Sequence, residues 1–191
     1  MANNVTDAQM IDAIKSRLNQ TVVDNWVIDY RSNILAIRNK LGVTADIPRR
    51  SSIEGISRIV IHHSLTKPSV KVDADSFATY HMQTNGWPTI AYYAVVEEDG
   101  IIRICNNLRS KTYHCGKFNN RSIGICLVGN FNHIKDVPFD QLESAISLTE
   151  VIEDVLDIND VLGHSELDGY HLKHCPGFSM DDYRSMLHTN L

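Results

Sequence analysis

Arg58-Ile59-Val60-Ile61-His62-His63-Ser64 is the point at which the chain changes character. The β-branched run Ile59-Val60-Ile61 makes a short buried strand, and it leads straight into two imidazoles and a hydroxyl. Side chains alternate along a strand, so Val60, His62 and Ser64 share one face while Ile59, Ile61 and His63 share the other. Only one of His62 and His63 can therefore face a common site, and periodicity does not say which. Working outward, Asp75 to Thr84 predicts a helix closed by Asn85-Gly86. Thr89 to Val96 and Ile101 to Cys105 are β-rich runs around Glu97-Glu98-Asp99-Gly100, whose Asp-Gly pair has hairpin chemistry. Ser122 to Val128 is a strongly apolar strand. Helical periodicity runs from Phe139 to Leu156 after Pro138. Val161-Leu162 is a short strand ending at Gly163-His164, and a last helix spans Met180 to Leu187. Strands interleaved with helices define an α/β domain.

Upstream, Thr6 and Gln9 form the pattern of a capping box, with Met10, Ile11, Ile14 and Leu18 following at helical spacing. Val23, Val27, Tyr30, Ile34, Ile37 and Leu41 predict a second helix, closed by Gly42 with Pro48 beyond. Residues 1–50 are thus expected to be a helical N-terminal extension and linker, a helical hairpin packed on a catalytic domain of residues 51–191. The alternative use of the 4-3 spacing is a coiled-coil seam for association.

Composition narrows the function classes. Of 191 residues, 43% are hydrophobic and 21% charged, values of an ordinary globular chain. The formal charge is -5, from 18 Lys+Arg against 23 Asp+Glu, and there is no basic run, so nucleic acid is not the expected partner. The N-terminus carries no signal-peptide pattern, and no apolar stretch approaches the roughly 20 residues that span a bilayer. The expectation is synthesis in the cytoplasm, without a transmembrane segment. In such a chain Cys105, Cys115, Cys126 and Cys175 are expected as thiols or a metal ligand rather than disulfides.

Reactive residue types collect at strand ends. His62 ends one strand, His164 ends another, and Cys175 follows His164 across a short loop. Two imidazoles and a thiolate suit zinc, whose catalytic sites keep three protein ligands and one open position. The spacing fits no general zinc pattern, and the competing reading is two hydrogen-bonded histidines with Cys175 as a small apolar filler.

Four blocks then occur in order: Val60-Ile61-His62-His63-Ser64, Gly86-Trp87-Pro88-Thr89-Ile90-Ala91-Tyr92, Ser122-Ile123-Gly124-Ile125-Cys126-Leu127-Val128-Gly129, and Gly163-His164 with Lys173-His174-Cys175-Pro176-Gly177. Together they resemble the zinc amidase family that includes bacteriophage lysozyme-type amidases, bacterial autolysins and animal peptidoglycan-recognition proteins, over about residues 58–188. The resemblance implies a central mixed β-sheet with helices on its faces. It implies His62, rather than His63, with His164 and Cys175 as ligands to one zinc ion. It also implies Tyr92 and Lys173 as the catalytic pair, and His114 as a residue lining the substrate groove. The implied activity is hydrolysis of the N-acetylmuramoyl–L-alanine amide of peptidoglycan. Without a signal peptide, such a chain resembles a phage or prophage endolysin that reaches the wall after release. The rival readings are a peptidoglycan-binding module that does not cut, and a cysteine peptidase built on Cys175. His81 is expected to be structural, His171 and His174 to flank the site, Glu166 to orient a ligand histidine, and Cys126 to fill core.

Overall fold

The computed structural model describes residues 5–18, 26–67 and 71–189. Helix α1 (Asp7–Leu18) starts at the expected capping box. The Gln9 amide donates to Thr6 Oγ1 at 3.2 Å, and the Thr6 amide donates to Gln9 Oε1 at 2.9 Å. Strand β1 (Val27–Asp29) and helix α2 (Arg31–Lys40) follow. Then come β2 (Arg58–His63), α3 (Ala74–Gln83), β3 (Ala94–Val96), β4 (Ile102–Ile104), β5 (Ser122–Leu127), α4 (Phe139–Leu156), β6 (Val161–Gly163) and α5 (Met180–Met186). The sheet has six strands in the order β1-β4-β3-β5-β2-β6. The β3–β4 pair is antiparallel and every other pair is parallel, so the sheet is mixed.

Two apolar layers cover it. On one face, Ile59, Ile61, Ile123, Ile125 and Leu127 pack with Met10, Ile11 and Ile14 of α1, with Ala145, Leu148 and Ile152 of α4, and with Tyr183 of α5. On the other, Val95 of β3 packs with Ile34 of α2 and Ala78 and Met82 of α3. Among the described residues no helix is long and apolar enough to cross a membrane.

The N-terminal helical hairpin is corrected by this arrangement. Residues 27–29, expected as helix, form a strand that pairs in parallel with β4: the Ile102 amide donates to Trp26 O at 2.7 Å and the Tyr30 amide to Ile104 O at 2.9 Å. The apolar residues that read as one stripe serve two layers, Val27 facing α1 and Ile34 facing α3. Helices α1 and α2 therefore lie on opposite faces of the sheet. Val23, the first residue of the expected stripe, lies outside the described residues.

The expected linker also carries a structural element. Arg50 is buried, and its guanidinium donates to five backbone carbonyls, those of Leu108, Ser110, Asn119, Asn120 and Ser122. Burial brings its pKa down to about 10, still well above neutrality, and the carbonyl dipoles take the place of a carboxylate partner. The β-run expected from Thr89 is shorter than read. Strand β3 begins only at Ala94, because the Asn106 side chain donates to Ile90 O at 3.0 Å and Tyr92 O at 2.8 Å, replacing a strand partner.

Ile14 is fully buried between α1, α4 and the sheet. The Ile14→Ala variant is expected to lose about 2–5 kcal/mol of unfolding free energy. Chemical denaturation measures this, and an unchanged midpoint would show that α1 does not belong to the main core.

Candidate metal centre

The parallel pairing of β2 with β6 sets Ile61 opposite Gly163, so His62 and His164 leave adjacent strand ends. After β6 the chain makes a 3-10 turn over His164–Glu166, and the Ser165 amide donates to Cys175 O at 2.9 Å, which draws the later loop back. Gly177 holds that loop against the next one at φ +94°. A side chain there would overlap the carbonyl of Phe131.

These constraints bring His62, His164 and Cys175 together, with one ligand atom of each lying within 4.8 Å of the others. Cys175 Sγ is 3.6 Å from His62 Nδ1, and the two imidazole rings have centroids 4.7 Å apart. His63 points to the opposite side, where its Nδ1 accepts from the Phe131 amide at 3.4 Å.

The donor set suits a divalent metal. His164 Nε2 is buried and has no hydrogen-bond partner, a cost that a bound cation removes. Burial lowers the His164 pKa to about 4, with the charge of Lys173 adding to the shift, and it drives that of His62 well below 6.5. Both rings therefore present neutral nitrogens. Burial also raises the Cys175 thiol to about 11, so a positive centre is needed to draw out the thiolate. Two imidazoles and one sulfur fit zinc with a fourth position open.

Around this centre, the Tyr92 ring lies 5.3 Å from that of His62. Burial, with the Cys126 and Cys175 thiols nearby, pushes the Tyr92 hydroxyl well above 10, so it remains a donor. Lys173 is exposed on the loop that ends at Cys175, and its backbone amide donates to Tyr170 O at 2.8 Å. The Tyr170 ring stands 4.6 Å from that of His164.

His114, expected to line the groove, is buried instead, and its Nδ1 lies 3.0 Å from His62 Nε2. Glu166 does not orient a ligand histidine. It accepts from the Gly163 amide at 2.8 Å and from Arg184 at 2.9 and 3.0 Å. His81 accepts from the Ala91 amide at 3.2 Å and its ring lies tilted 5.1 Å from that of Trp87, while His171 and His174 are exposed. Cys126 is fully buried in β5. Arg50, Asn106, Ser122 and Tyr170 escaped the sequence reading, since each acts through loops whose course no periodicity reveals.

A mixed sheet with two imidazoles at its strand ends and a thiol on a following loop brought to one point forms a group that could hold a single metal ion. The sequence profile described as N-acetylmuramoyl-L-alanine amidase matches residues 52–178, and the chain belongs to that family. It is 30% identical to the endolysin of Escherichia phage T7 over 79 residues, which cover 41% of this chain and 52% of that protein. The chain thus spans about half the length of that endolysin. Peptidoglycan-recognition protein SC1a of Drosophila melanogaster is 28% identical over 137 residues, covering 64% of this chain and 68% of that one. The solved endolysin amidase LysCS of Clostridium intestinale superposes with a TM-score of 0.63 at 23% identity, covering 76% of this chain and 94% of that one.

The buried histidines make acid stability testable. His81 has its pKa lowered by burial from 6.5 to about 4. The unfolded chain takes up the proton first, so this contribution is full above about pH 6.5 and is lost as the pH falls toward 4. The metal-free protein should therefore unfold at lower denaturant at pH 5 than at pH 7.5. His81→Gln should flatten that difference, by up to about 3 kcal/mol across the full window. Equal pH dependence of the two proteins would remove His81 from the account.

Proposed function

We propose that the chain is a zinc-dependent amidase that hydrolyses the bond between N-acetylmuramic acid and L-alanine in peptidoglycan, in the manner of a phage or prophage endolysin. The observation that carries the reading is the convergence of His62, His164 and Cys175 within 4.8 Å in a chain of this family. The phage endolysins and peptidoglycan-recognition proteins among its relatives support peptidoglycan as the substrate and the cell wall as the place of action.

Zinc held by these three residues would polarise the scissile carbonyl and activate a water molecule. The protein's own groups do the rest. Lys173, exposed two residues before Cys175, supplies positive charge to the oxyanion that develops as the carbonyl is attacked. Tyr92 keeps its proton and donates a hydrogen bond to that oxygen or holds the attacking water. The burial of His62 and Cys175 keeps bulk water from one side of the centre, which strengthens these interactions. A binding module without hydrolysis would have no use for a complete ligand set beside Lys173 and Tyr92. Every residue that touches the reacting groups lies within residues 51–191, and Arg50 just before them ties down the loop that carries His114.

Metal analysis should find about one zinc per chain. His62→Ala, His164→Ala and Cys175→Ala should lose it, and His63→Ala should keep it. A reversed result for the two neighbouring histidines would move the ligand by one residue. Lys173→Ala and Tyr92→Phe should stay folded and zinc-loaded but lose on the order of a hundredfold in rate. Mass spectrometry of muropeptides released from purified walls identifies the bond: new L-alanine amino termini without new reducing sugar ends are expected. Activity that survives a zinc chelator would point instead to a thiol peptidase.

A further inference from the structure

His62 has two ring nitrogens, and only one can carry its proton if the other is to bind a metal. A chain of polar atoms bears on the choice. Its far end is Ser122 Oγ, 2.8 Å from the backbone carbonyl of Phe118. A carbonyl only accepts, so Ser122 can point its single hydroxyl proton there, beside the Arg121 amide that donates to the same oxygen at 3.0 Å. In that arrangement Ser122 Oγ accepts from its other neighbours, His114 Nε2 at 3.1 Å and Cys115 Sγ at 3.1 Å. His114 therefore carries its proton on Nε2, and its Nδ1 is a bare acceptor. That nitrogen lies 3.0 Å from His62 Nε2, which must supply the proton between them. His62 Nδ1 is left with its lone pair free, 3.6 Å from Cys175 Sγ.

We propose that His114 and Ser122 are positioning residues that fix His62 as the Nε2–H tautomer and so aim Nδ1 at the metal. This rests on the metal-centre reading above. The chain is built into the fold. Ser122 and Gly124 share a face of β5, and His114 lies against Gly124, where an added Cβ would come within 2.7 Å of its ring. A side chain at 124 would push His114 away from His62. Arg50 pins the same loop at both ends through Leu108, Ser110 and Ser122. His114 and Ser122 are both buried, so water does not compete for these bonds. Hydrogen-bonding partners of this kind typically change metal affinity by about 10–100-fold.

The test uses full-length, metal-free protein labelled with 15N at histidine. Long-range proton–nitrogen correlation spectra report the tautomer of each ring, and the His62→Ala spectrum assigns the His62 signals. His62 is expected with its proton on Nε2. Zinc affinity is then measured by competition with a chromophoric chelator. His114→Leu, which can accept no hydrogen bond, should bind zinc at least about tenfold more weakly. His114→Asn, whose side-chain oxygen sits near the position of Nδ1, should recover most of the loss. A proton on Nδ1 of His62, or zinc binding by His114→Leu as tight as that of the wild type, would overturn the proposal. Should His114→Leu not fold, the wild-type spectrum and the Asn variant still decide it. A wild-type protein that shows the Nε2–H tautomer but takes up no zinc would sink the metal-centre reading, and with it the aiming role, while leaving the tautomer assignment standing.

Discussion

Parallel pairing of β2 with its two neighbours is the constraint on which the rest of the molecule depends. Opposite Ile61 stands Gly163, and opposite His62 stands Cys126, so the ends of β6 and β5 arrive beside the end of β2. Parallel strands all finish at the same edge of a sheet, and the loops that leave them gather there. His164 emerges from one such loop and Cys175 is drawn in by a backbone bond to the next residue along, Ser165. Because side chains alternate, a slip of one residue in β2 would exchange His62 for His63 and turn the site into the aliphatic layer. The layers of Ile59, Ile61, Ile123 and Ile125 on the far face oppose that slip.

The centre concentrates groups that are costly to bury, and each is accommodated in a different way. His114 is neutral, its pKa brought to about 3 chiefly by burial and next by the nearby charge of Arg50. Arg50 keeps its charge and spreads it over carbonyl dipoles. His164 Nε2 is buried without a hydrogen-bond partner, and His164 is one of the three groups that a cation would satisfy. The unpartnered His164 nitrogen thus stands beside His62 and Cys175, where a ligand could satisfy it.

The sequence made the sheet legible wherever an apolar run was short and bounded: β2, β5, β6 and α4 lie where alternation and periodicity put them. It misled at Val27 to Leu41. There a 4-3 spacing matched a helix, although the residues belong to a strand and a helix on different faces of the sheet. Pattern cannot tell one stripe from two when a turn as short as Tyr30 separates them. The start of β3 was misjudged for another reason, since the partner that replaces the ladder is an Asn side chain from a later loop. At the site, the residue types at strand ends could be read, and resemblance chose among them. The roles of Arg50 and Ser122 could not, because Arg50 reaches main-chain carbonyls and Ser122 reaches a carbonyl and two side chains of an earlier loop that no sequence position announces. His114 could be found but not placed: only the coordinates show which side of His62 it occupies.

Arg50 also bears on how this domain could be used as a part. The family match begins at residue 52, and a module cut there would look complete by its motifs. Such a cut discards the guanidinium that ties Leu108, Ser110, Asn119, Asn120 and Ser122 into one loop. A lysine appended in its place would not serve, having no planar fork to reach several oxygens at once. A fusion that transplants the family domain onto another protein should therefore join upstream of Arg50, and the border drawn by homology is not the border drawn by hydrogen bonds.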